Sequence, residues 1–381
     1  MPASIDPFYV MEVVAAAQRH EQEGNAVFHL EVGQPSTGAP RGAIDVAHRL
    51  LDSDALGYTT SRGIPELAPA IASHVGIQYD LDLDPGRIAI TQGASGAFVL
   101  ALLASFEPGA RVAVTAPGYP CYRNMLAALH MTAVPIHVDA STRFQPTVEL
   151  LEAAGSLDGV IVASPSNPTG TVLEPDELAA LCSWCDERGV RLISDEIYHG
   201  LTYGDTVTAT AASMSDSAIV INSFSKYFSM TGWRIGWTVL PEELVTAVDR
   251  LAQNLVICPP ALSQHVALAA FGCRDELDGH VERYAANRKI LLEGLPKAGM
   301  TDLAPADGAF YIWARTDHLG ADSRDLTAGW LRELGVAATP GIDFDPTEGH
   351  RYVRFSFCGT PQTMHGAIES LLTWRLRSLS G

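Results

Sequence analysis

The chain has 381 residues, of which 47% are apolar and 18% are charged, and its formal net charge at pH 7 is −19. This length and composition predict a soluble globular protein of about two domains with a large core, and exclude a disordered chain. The acidic charge argues against non-specific binding to nucleic acid or to an anionic membrane. We expect it to lie on a solvated surface.

No secretion signal is expected, because Met1 to Asp6 lacks a basic region followed by an apolar core. The longest strongly apolar run, 97–106, is about half of the ~20 residues needed to cross a bilayer, so it predicts a buried helix. Cys182 and Cys185 have C-x-x-C spacing on a helical pattern, with no second pair nearby. We interpret them as packing thiols and expect a cytoplasmic protein without a metal site.

The middle of the chain alternates short β-branched segments with longer helical patterns. In chain order the predicted elements are a strand at 87–91, a helix at 93–105, a strand at 111–115, a helix at 122–129, a strand at 159–163, a helix at 175–188 and strands at 190–194 and 218–222. This alternation predicts a mostly parallel sheet that is covered on both faces. Ligands of such sheets bind beyond the carboxyl ends of the strands, where we expect Gly93, Asp195 and Ser223 to meet.

The remaining third of the chain has a different pattern. A long helical pattern at 275–295 is followed by strand-like segments at 308–313 and 352–357, with a helix between them. These segments predict a smaller α+β domain.

Lys226 is one of only three lysines in the chain, which uses Arg for nearly all its positive charge. Lysine, unlike Arg, can lose its proton and attack a carbonyl to form a Schiff base. The neighbouring hydroxyls of Ser223 and Ser225 and the guanidinium of Arg234 suit a phosphate. Together these features indicate pyridoxal 5′-phosphate (PLP), whose aldehyde binds a lysine and whose phosphate anchors the ring.

The segment from Ser223 to Gly236 resembles the active-site lysine motif of the class I/II aminotransferases, the aspartate aminotransferase superfamily of fold type I. Other motifs of that family occur in the same order, and they are Gly33-Gln34-Pro35, Tyr58 with Gly63-Ile64-Pro65-Glu66-Leu67, Thr91-Gln92-Gly93, Pro117-Gly118-Tyr119-Pro120, Asn167-Pro168-Thr169-Gly170, Asp195-Glu196-Ile197-Tyr198 and Arg354. This ordered set covers most of the chain and is far more specific than a lone S-x-x-K.

The resemblance implies a fold type I PLP-dependent transferase. Its large domain would carry a mostly parallel seven-stranded sheet, beside a smaller α+β domain. We predict the large PLP-binding domain at residues 41–280. The small domain is predicted to combine residues 1–40 and 281–381, because the N-terminal segment joins the C-terminal domain in this family.

The resemblance also implies the roles of the catalytic residues. Lys226 would hold PLP as a Schiff base and then shuttle the proton between the substrate and the cofactor. Asp195 would pair with the ring nitrogen and keep it cationic. Tyr198 would contact the ring oxygen together with Asn167, which would also contact the substrate carboxylate. We predict a cis bond between Asn167 and Pro168.

The phosphate is expected at the start of the helix that follows Thr91, where free N–H groups and the helix dipole favour an anion. Its predicted ligands are Gly93, Ala94, Ser95, Ser223, Ser225 and Arg234.

Four further positions match residues of the family. Tyr119 would stack on the ring, although Tyr122 is a nearby alternative, and Gly33 would let the backbone approach the substrate carboxylate. Arg354 would hold that carboxylate with two parallel hydrogen bonds. Tyr58 would reach the phosphate of the neighbouring subunit, which implies a homodimer with a shared active site. Structural roles stay open for these residues: burial of Tyr58 in its own subunit, core packing of Tyr119 and a salt bridge for Arg354.

The sequence departs from the aspartate-using members of the family. Ser95 stands where one subgroup has a Lys, and residues 254–260, expected to reach the neighbouring site, contain no Arg. A buried second carboxylate would lack a cation, which is costly. We therefore predict a preference for neutral or apolar amino acids. The acceptor is expected to be a common 2-oxo acid such as 2-oxoglutarate, although no residue indicates it.

Three alternatives share part of this pattern. Carbon–sulfur lyases and aminocyclopropane-carboxylate synthases have nearly all of these residues, and the sequence shows poorly which substrate bond is broken. We do not expect a PLP-binding regulatory module, because such proteins carry a basic DNA-binding domain, whereas this chain is acidic and its resemblance to the aminotransferases begins by Gly33. Penicillin-binding enzymes need a K-T-G motif, which is absent. We predict an aminotransferase with a ping-pong mechanism.

Overall fold

The computed structural model describes residues 5, 7–53 and 55–380. Most of the segment Met1 to Asp6, on which the expected absence of a secretion signal depends, lies outside them. The helices are α1 (Tyr9–Gln22), α2 (Arg41–Ser53), α3 (Leu67–Tyr79), α4 (Gly93–Ser105), α5 (Pro120–Ala128), α6 (Val148–Ala153), α7 (Pro175–Arg188), α8 (Glu242–Leu255), α9 (Ala261–Ala270), α10 (Arg274–Gly294), α11 (Ser323–Leu334) and α12 (Pro361–Ser380). The strands are β1 (Phe28–His29), β2 (Ile88–Thr91), β3 (Arg111–Ala116), β4 (Thr132–His137), β5 (Gly159–Ala163), β6 (Arg191–Asp195), β7 (Ile219–Ser223), β8 (Gly236–Val239), β9 (Tyr311–Arg315), β10 (Val336–Ala337), β11 (Thr339–Pro340) and β12 (Tyr352–Ser356).

Seven strands form the central sheet, in the order β2-β8-β7-β6-β5-β3-β4. Only β8 is antiparallel to its neighbours β2 and β7. Both faces are apolar: Ile219 and Ile221 of β7 belong to one buried cluster, and Val220 belongs to another. The predicted mostly parallel seven-stranded sheet, covered on both faces, is confirmed.

Two strands of this sheet, β4 and β8, were not predicted from the sequence. Strand β4 lies at the edge, is largely exposed or half-buried and contains Pro135, so it lacks the apolar run of a central strand. Strand β8 has only four residues and begins at Gly236, the last residue of the lysine motif.

The carboxyl ends of six strands, all except β8, meet at one edge of the sheet. Strands β6 and β7 end at Asp195 and Ser223, and β2 ends two residues before Gly93, at which α4 begins. Because β2 and β7 are both antiparallel to β8, they run in the same direction. The predicted convergence of Gly93, Asp195 and Ser223 at this edge is therefore confirmed.

The C-terminal part of the chain has its own sheet and core. Strands β11, β12 and β9 form an antiparallel sheet, and the N-terminal strand β1 pairs with β10. Buried Leu291, Phe310, Trp330 and Phe355 belong to its core. The N-terminal segment thus packs with the C-terminal part. Helix α10 continues through the predicted boundary near residue 280, so the domain bounds stay a prediction.

The apolar run and the two closely spaced cysteines noted in the sequence both lie in ordinary helices. The apolar run 97–106 lies in α4 and its C-cap, and no helix in the described ranges is long and apolar enough to cross a membrane. Cys182 and Cys185 are buried in α7, where burial raises the pKa of each thiol to about 12. Both thiols therefore stay protonated and unreactive near neutral pH.

Candidate active site

A cavity of about 300 Å³ opens at the carboxyl edge of the central sheet, between the sheet, the N-terminal segment and the C-terminal part. Most of the predicted site residues line it, namely Gly33, Ala94, Ser95, Tyr119, Asn167, Asp195, Tyr198, Ser223, Ser225, Lys226, Arg234 and Arg354. Gly93 lies beside them against Arg234, whereas Tyr58 lies elsewhere on the surface.

Lys226 lies three residues beyond the end of β7, on the wall of this cavity. Its Nζ donates a hydrogen bond of 2.7 Å to the carbonyl of Gly33 and lies 5.5 Å from the centre of the Tyr198 ring. Burial lowers the pKa of Lys226 to about 8, although nearby Asp195 opposes the shift. A far larger fraction of this amine is therefore neutral at pH 7 than for an exposed lysine, as a nucleophile requires.

Asp195 is buried and hydrogen-bonded at the end of β6. It accepts from the hydroxyl of Tyr122 and, at 3.2 Å, from the N–H of Ile197. Burial raises the pKa of Asp195 to about 6, despite these hydrogen bonds. A cationic partner would favour its ionised form, so the site suits a protonated ring nitrogen.

The two tyrosines that competed in the sequence analysis occupy different places. Tyr122 bonds to Asp195, a contact that sequence reasoning missed. Tyr119 also lines the cavity and meets the Tyr122 ring edge-on, with ring centres 5.4 Å apart. Tyr119 is thus not enclosed in the core and is free to face a ligand.

Arg354, on β12, is 3% exposed and has only neutral hydrogen-bond partners among the described residues. Its guanidinium donates to Asn167 Oδ1 at 2.9 Å, to Thr339 at 3.3 Å and to the carbonyl of Glu31. Its Nε has no partner. A buried guanidinium that is hydrogen-bonded to no carboxylate is costly, so this position favours an anionic ligand over the alternative of a structural salt bridge.

Asn167 is held by a tight loop between β5 and α7. The Asn167–Pro168 bond is cis, as predicted. Hydrogen bonds close the loop from Ser166 N to Thr171 O and from Gly170 N to Ser166 O, at 2.9 and 2.8 Å. The loop thereby presents the Asn167 amide beside Arg354, where both can contact one carboxylate.

The start of α4 forms a group of donors with Arg234. Its N-cap residue, Gln92, makes no side-chain capping bond, so that side chain does not occupy the N–H groups of the first turn. Gly93 has φ +70°, and a Cβ there would lie 2.6 Å from Arg234 Nη2, so only glycine lets the guanidinium come this close. Ser223 Oγ lies 2.8 Å from Ser225 Oγ on the adjoining loop. A helix start, hydroxyls and a guanidinium fit a phosphate.

Tyr58 is 84% exposed in the single chain, which excludes the alternative that it is buried in its own subunit. Gln264 links its neighbourhood to the loop after α8, with bonds to Thr59 Oγ1 at 3.1 Å and Pro259 O at 2.9 Å. Leu255, the last residue of α8, and Ile257, in that loop, are 58% and 52% exposed. The segment around Tyr58 therefore belongs to a surface with several exposed apolar side chains.

The N-terminal segment contributes a wall that the sequence analysis did not foresee. Phe8, Val10 and Met11 line the cavity. The buried carboxylate of Asp343 accepts from the N–H groups of Tyr9 and Val10 at 3.2 and 3.0 Å, which fixes the start of α1 over the cavity. A short apolar run near the N-terminus was the only sequence signal, and it does not show where the run packs.

Tyr311 also lines the cavity and was not among the predicted site residues. Its hydroxyl lies 2.8 Å from that of Tyr198. It fell in a predicted strand, 308–313, which the structure shifts to β9 at Tyr311–Arg315. Alternation along a strand indicates which side chains point inward, not which groups they touch.

The model for the family "Aminotransferase class I and II" matches residues 25–371. A valine–pyruvate aminotransferase of Mycobacterium tuberculosis is 48% identical over 98% of this chain and 97% of its own length. An aspartate aminotransferase of Thermotoga maritima is 31% identical over 95% of this chain and 94% of its own. A crystal structure of an aminotransferase from Mycobacterium tuberculosis superposes with a TM-score of 0.97 at 46% identity, covering 98% of both chains.

The lowered pKa of Lys226 predicts that this residue destabilises the folded, PLP-free protein by an amount that depends on pH. The unfolded lysine keeps its proton up to a pKa of 10.5, whereas the folded one loses it near 8, so stability rises with pH between these values. Lys226→Met should therefore stabilise the PLP-free protein at pH 7 by about 1–3 kcal/mol. The gain should shrink between pH 8 and 10.5 in urea unfolding. Lys289→Met, at a mostly exposed lysine, should change stability by less than about 0.5 kcal/mol. A Lys226→Met gain that does not vary with pH would contradict the pKa shift.

Proposed function

The chain belongs to the class I and II aminotransferases, and on that premise we propose that it moves the amino group of an apolar L-amino acid such as valine to a small 2-oxo acid such as pyruvate. As a member of this family, the protein is a PLP-dependent transferase of fold type I that interconverts amino acids and 2-oxo acids. The observation that carries this proposal is a cavity in which the buried Arg354 guanidinium bonds to no carboxylate among the described residues, while Phe8, Val10 and Met11 form an apolar wall.

We assign proton transfer to Lys226. When bound, PLP supplies an aldehyde for the amino group and a ring that withdraws electrons from the substrate's α-carbon. Lys226 Nζ would take the proton from that carbon and hold it until delivery to its new position. The lowered pKa supports this role, because a neutral amine can accept a proton and a pKa of about 8 still allows it to be given up.

Asp195, Tyr198 and the start of α4 are the proposed cofactor ligands. Asp195 would bind the ring nitrogen, and Tyr198 would donate to the ring oxygen. The phosphate would accept from the first turn of α4, from Ser223 and Ser225 and from Arg234. Tyr119 would cover one face of the ring. These roles agree with a donor set that holds a guanidinium and the N–H groups of a helix start at one end and a buried carboxylate at the other.

Arg354 and Asn167 are the proposed ligands of the substrate carboxylate. The unpartnered Nε of Arg354 and the adjacent Nη groups can form two parallel hydrogen bonds with one carboxylate. Gly33 would allow the substrate carboxylate to approach the backbone closely, because it has no side chain to block the cavity. Its carbonyl oxygen accepts the hydrogen bond from Lys226.

The cavity offers no cation for a second carboxylate. Among the described residues that line it, the cations are Lys226, Arg234 and Arg354, and each already has an assigned partner. Phe8, Val10 and Met11 instead provide apolar surface for a side chain. The relative named valine–pyruvate aminotransferase, at 48% identity, supports the same preference. This argument also favours pyruvate over 2-oxoglutarate as acceptor. No observation favours the lyase alternatives.

We further propose a cytoplasmic homodimer in which Tyr58 reaches the phosphate of the neighbouring subunit. Arg234 and Ser95 are exposed in the single chain, so the phosphate end of the cavity is open. Tyr58, Leu255 and Ile257 are exposed as well. A second subunit that covered this surface would bury the apolar side chains and complete the site.

The first prediction concerns substrate choice. A buried carboxylate without a cation costs about 3 kcal/mol, so kcat/KM for valine should exceed that for aspartate by about 100-fold, with pyruvate as the common acceptor. Initial rates over a panel of amino acids would measure this ratio. Efficient aspartate turnover at a low KM would contradict the proposal, even if transamination itself were confirmed.

The second prediction concerns the shared site. Lys226→Ala should abolish turnover, and Tyr58→Ala should lower it about 10-fold or more through the lost hydrogen bond to a charged group. A hybrid dimer of the two variants, purified with two affinity tags, contains one intact site if Tyr58 acts across the interface. We expect it to regain about half of the wild-type rate. A hybrid no faster than the mean of its two parents would contradict a shared site.

A further inference from the structure

Tyr311 touches groups from three separate parts of the chain. Its hydroxyl lies 2.8 Å from that of Tyr198, and its ring lies 4.4 Å from Arg354 Cζ. A Cβ built on Gly33 would fall 1.7 Å from the same hydroxyl, so Gly33 and Tyr311 are in direct contact. Tyr311 is 1% exposed, which fixes its ring and hydroxyl in place.

The hydroxyl pair constrains where the two protons point. A phenol has one proton to donate. If Tyr198 donates its proton to the ring oxygen of PLP, it can only accept from Tyr311. Tyr198 is the only hydrogen-bond partner that the described residues offer the Tyr311 hydroxyl. The proton of Tyr311 is therefore available to Tyr198, and a donor that itself accepts a hydrogen bond becomes a stronger donor.

Packing alone does not require this hydroxyl. Phe310, the adjacent residue, is also fully buried without one. Tyr203 is a useful contrast, because it is also a buried tyrosine. Its hydroxyl donates at 2.6 Å to the carbonyl of Ala309, which has no proton of its own to donate. In the described part of the chain, only Tyr311 donates or accepts a hydrogen bond with another phenol that lines the cavity, Tyr198.

The ring of Tyr311 has a second task. The Arg354 guanidinium lies between this ring and that of Phe344, at 4.4 and 4.6 Å from the ring centres. Stacking on aromatic rings fixes the orientation of a planar guanidinium. The edge left free carries the unpartnered Nε. The ring thus orients the carboxylate ligand, while the hydroxyl acts on Tyr198.

We propose that Tyr311 is a positioning residue for transamination, whose hydroxyl keeps the Tyr198 proton directed at the ring oxygen of the cofactor and whose ring orients Arg354 for the substrate. The inference rests on the proposed role of Tyr198. Tyr311 would thus align both the contact of Tyr198 with the cofactor and the contact of Arg354 with the substrate carboxylate.

The test uses PLP-loaded protein and follows the cofactor's visible absorbance against pH. A hydrogen-bond donor to the ring oxygen favours the deprotonated form of the bound cofactor, because the ring oxygen carries more negative charge in that form. Tyr311→Phe should therefore raise the pH midpoint by about half a unit, and Tyr198→Phe should raise it further, by about one unit or more. The double variant should match Tyr198→Phe alone, since Tyr311 acts through that hydroxyl. Tyr203→Phe, the matched control, should leave the midpoint unchanged.

Kinetics separate the ring from the hydroxyl. Tyr311→Phe keeps the ring, so kcat should fall about 3- to 10-fold while KM for the amino acid changes less than about 2-fold. Tyr311→Leu removes the ring as well and should also raise KM about 10-fold. Thermal unfolding and PLP content would verify that each variant is folded and loaded.

Each contrary outcome has a separate meaning. A Tyr311→Phe midpoint equal to wild type, while Tyr198→Phe shifts, would overturn the inference and leave the role of Tyr198 intact. Additive shifts in the double variant would also overturn it, because Tyr311 would then act independently. No shift in Tyr198→Phe would overturn the proposed role of Tyr198 itself, and the inference with it.

Discussion

The active-site cavity holds more positive than negative charge, in a chain whose net charge is −19. Among the described residues that line it are Lys226, Arg234 and Arg354, against the single carboxylate of Asp195. A buried charge such as that of Arg354 is costly unless a ligand supplies an opposite charge. A phosphate at Arg234 and a substrate carboxylate at Arg354 would do so. The cavity is therefore incomplete without its cofactor and substrate.

The fold creates this imbalance by bringing distant segments to one place. The parallel strands of the central sheet deliver Asp195 and the approach to Lys226 at their carboxyl ends. Arg354 comes from the other sheet, and its partner carbonyl, Glu31, comes from the N-terminal segment. The site thus exists only when both parts of the chain are packed together. Any motion between them would change the contacts of Arg354, because it bonds to both.

Local sequence signals predicted some elements to the residue. Helix α7 begins at Pro175 in the first turn and stops before Gly189, which has positive φ, so both ends carry strong signals. Helix α4 and strand β5 were likewise bounded correctly. Strands β4 and β8 were missed because an exposed edge strand and a four-residue strand lack a clear apolar period. Ordered family motifs predicted most residues of the cavity, yet Tyr311, Asp343 and the Tyr122–Asp195 contact were not foreseen. Each depends on contacts between segments far apart in the chain, which no local pattern encodes.

The most direct test of the account is a pair of half-reactions on PLP-loaded protein. Valine would be added without any 2-oxo acid, the visible absorbance of the cofactor would be recorded, and pyruvate would follow. The account predicts that valine removes the band, that about one equivalent of the matching 2-oxo acid is released per bound cofactor, and that pyruvate restores the band. A band that no amino acid changes, or continuous release of a 2-oxo acid with ammonia and without an acceptor, would contradict it.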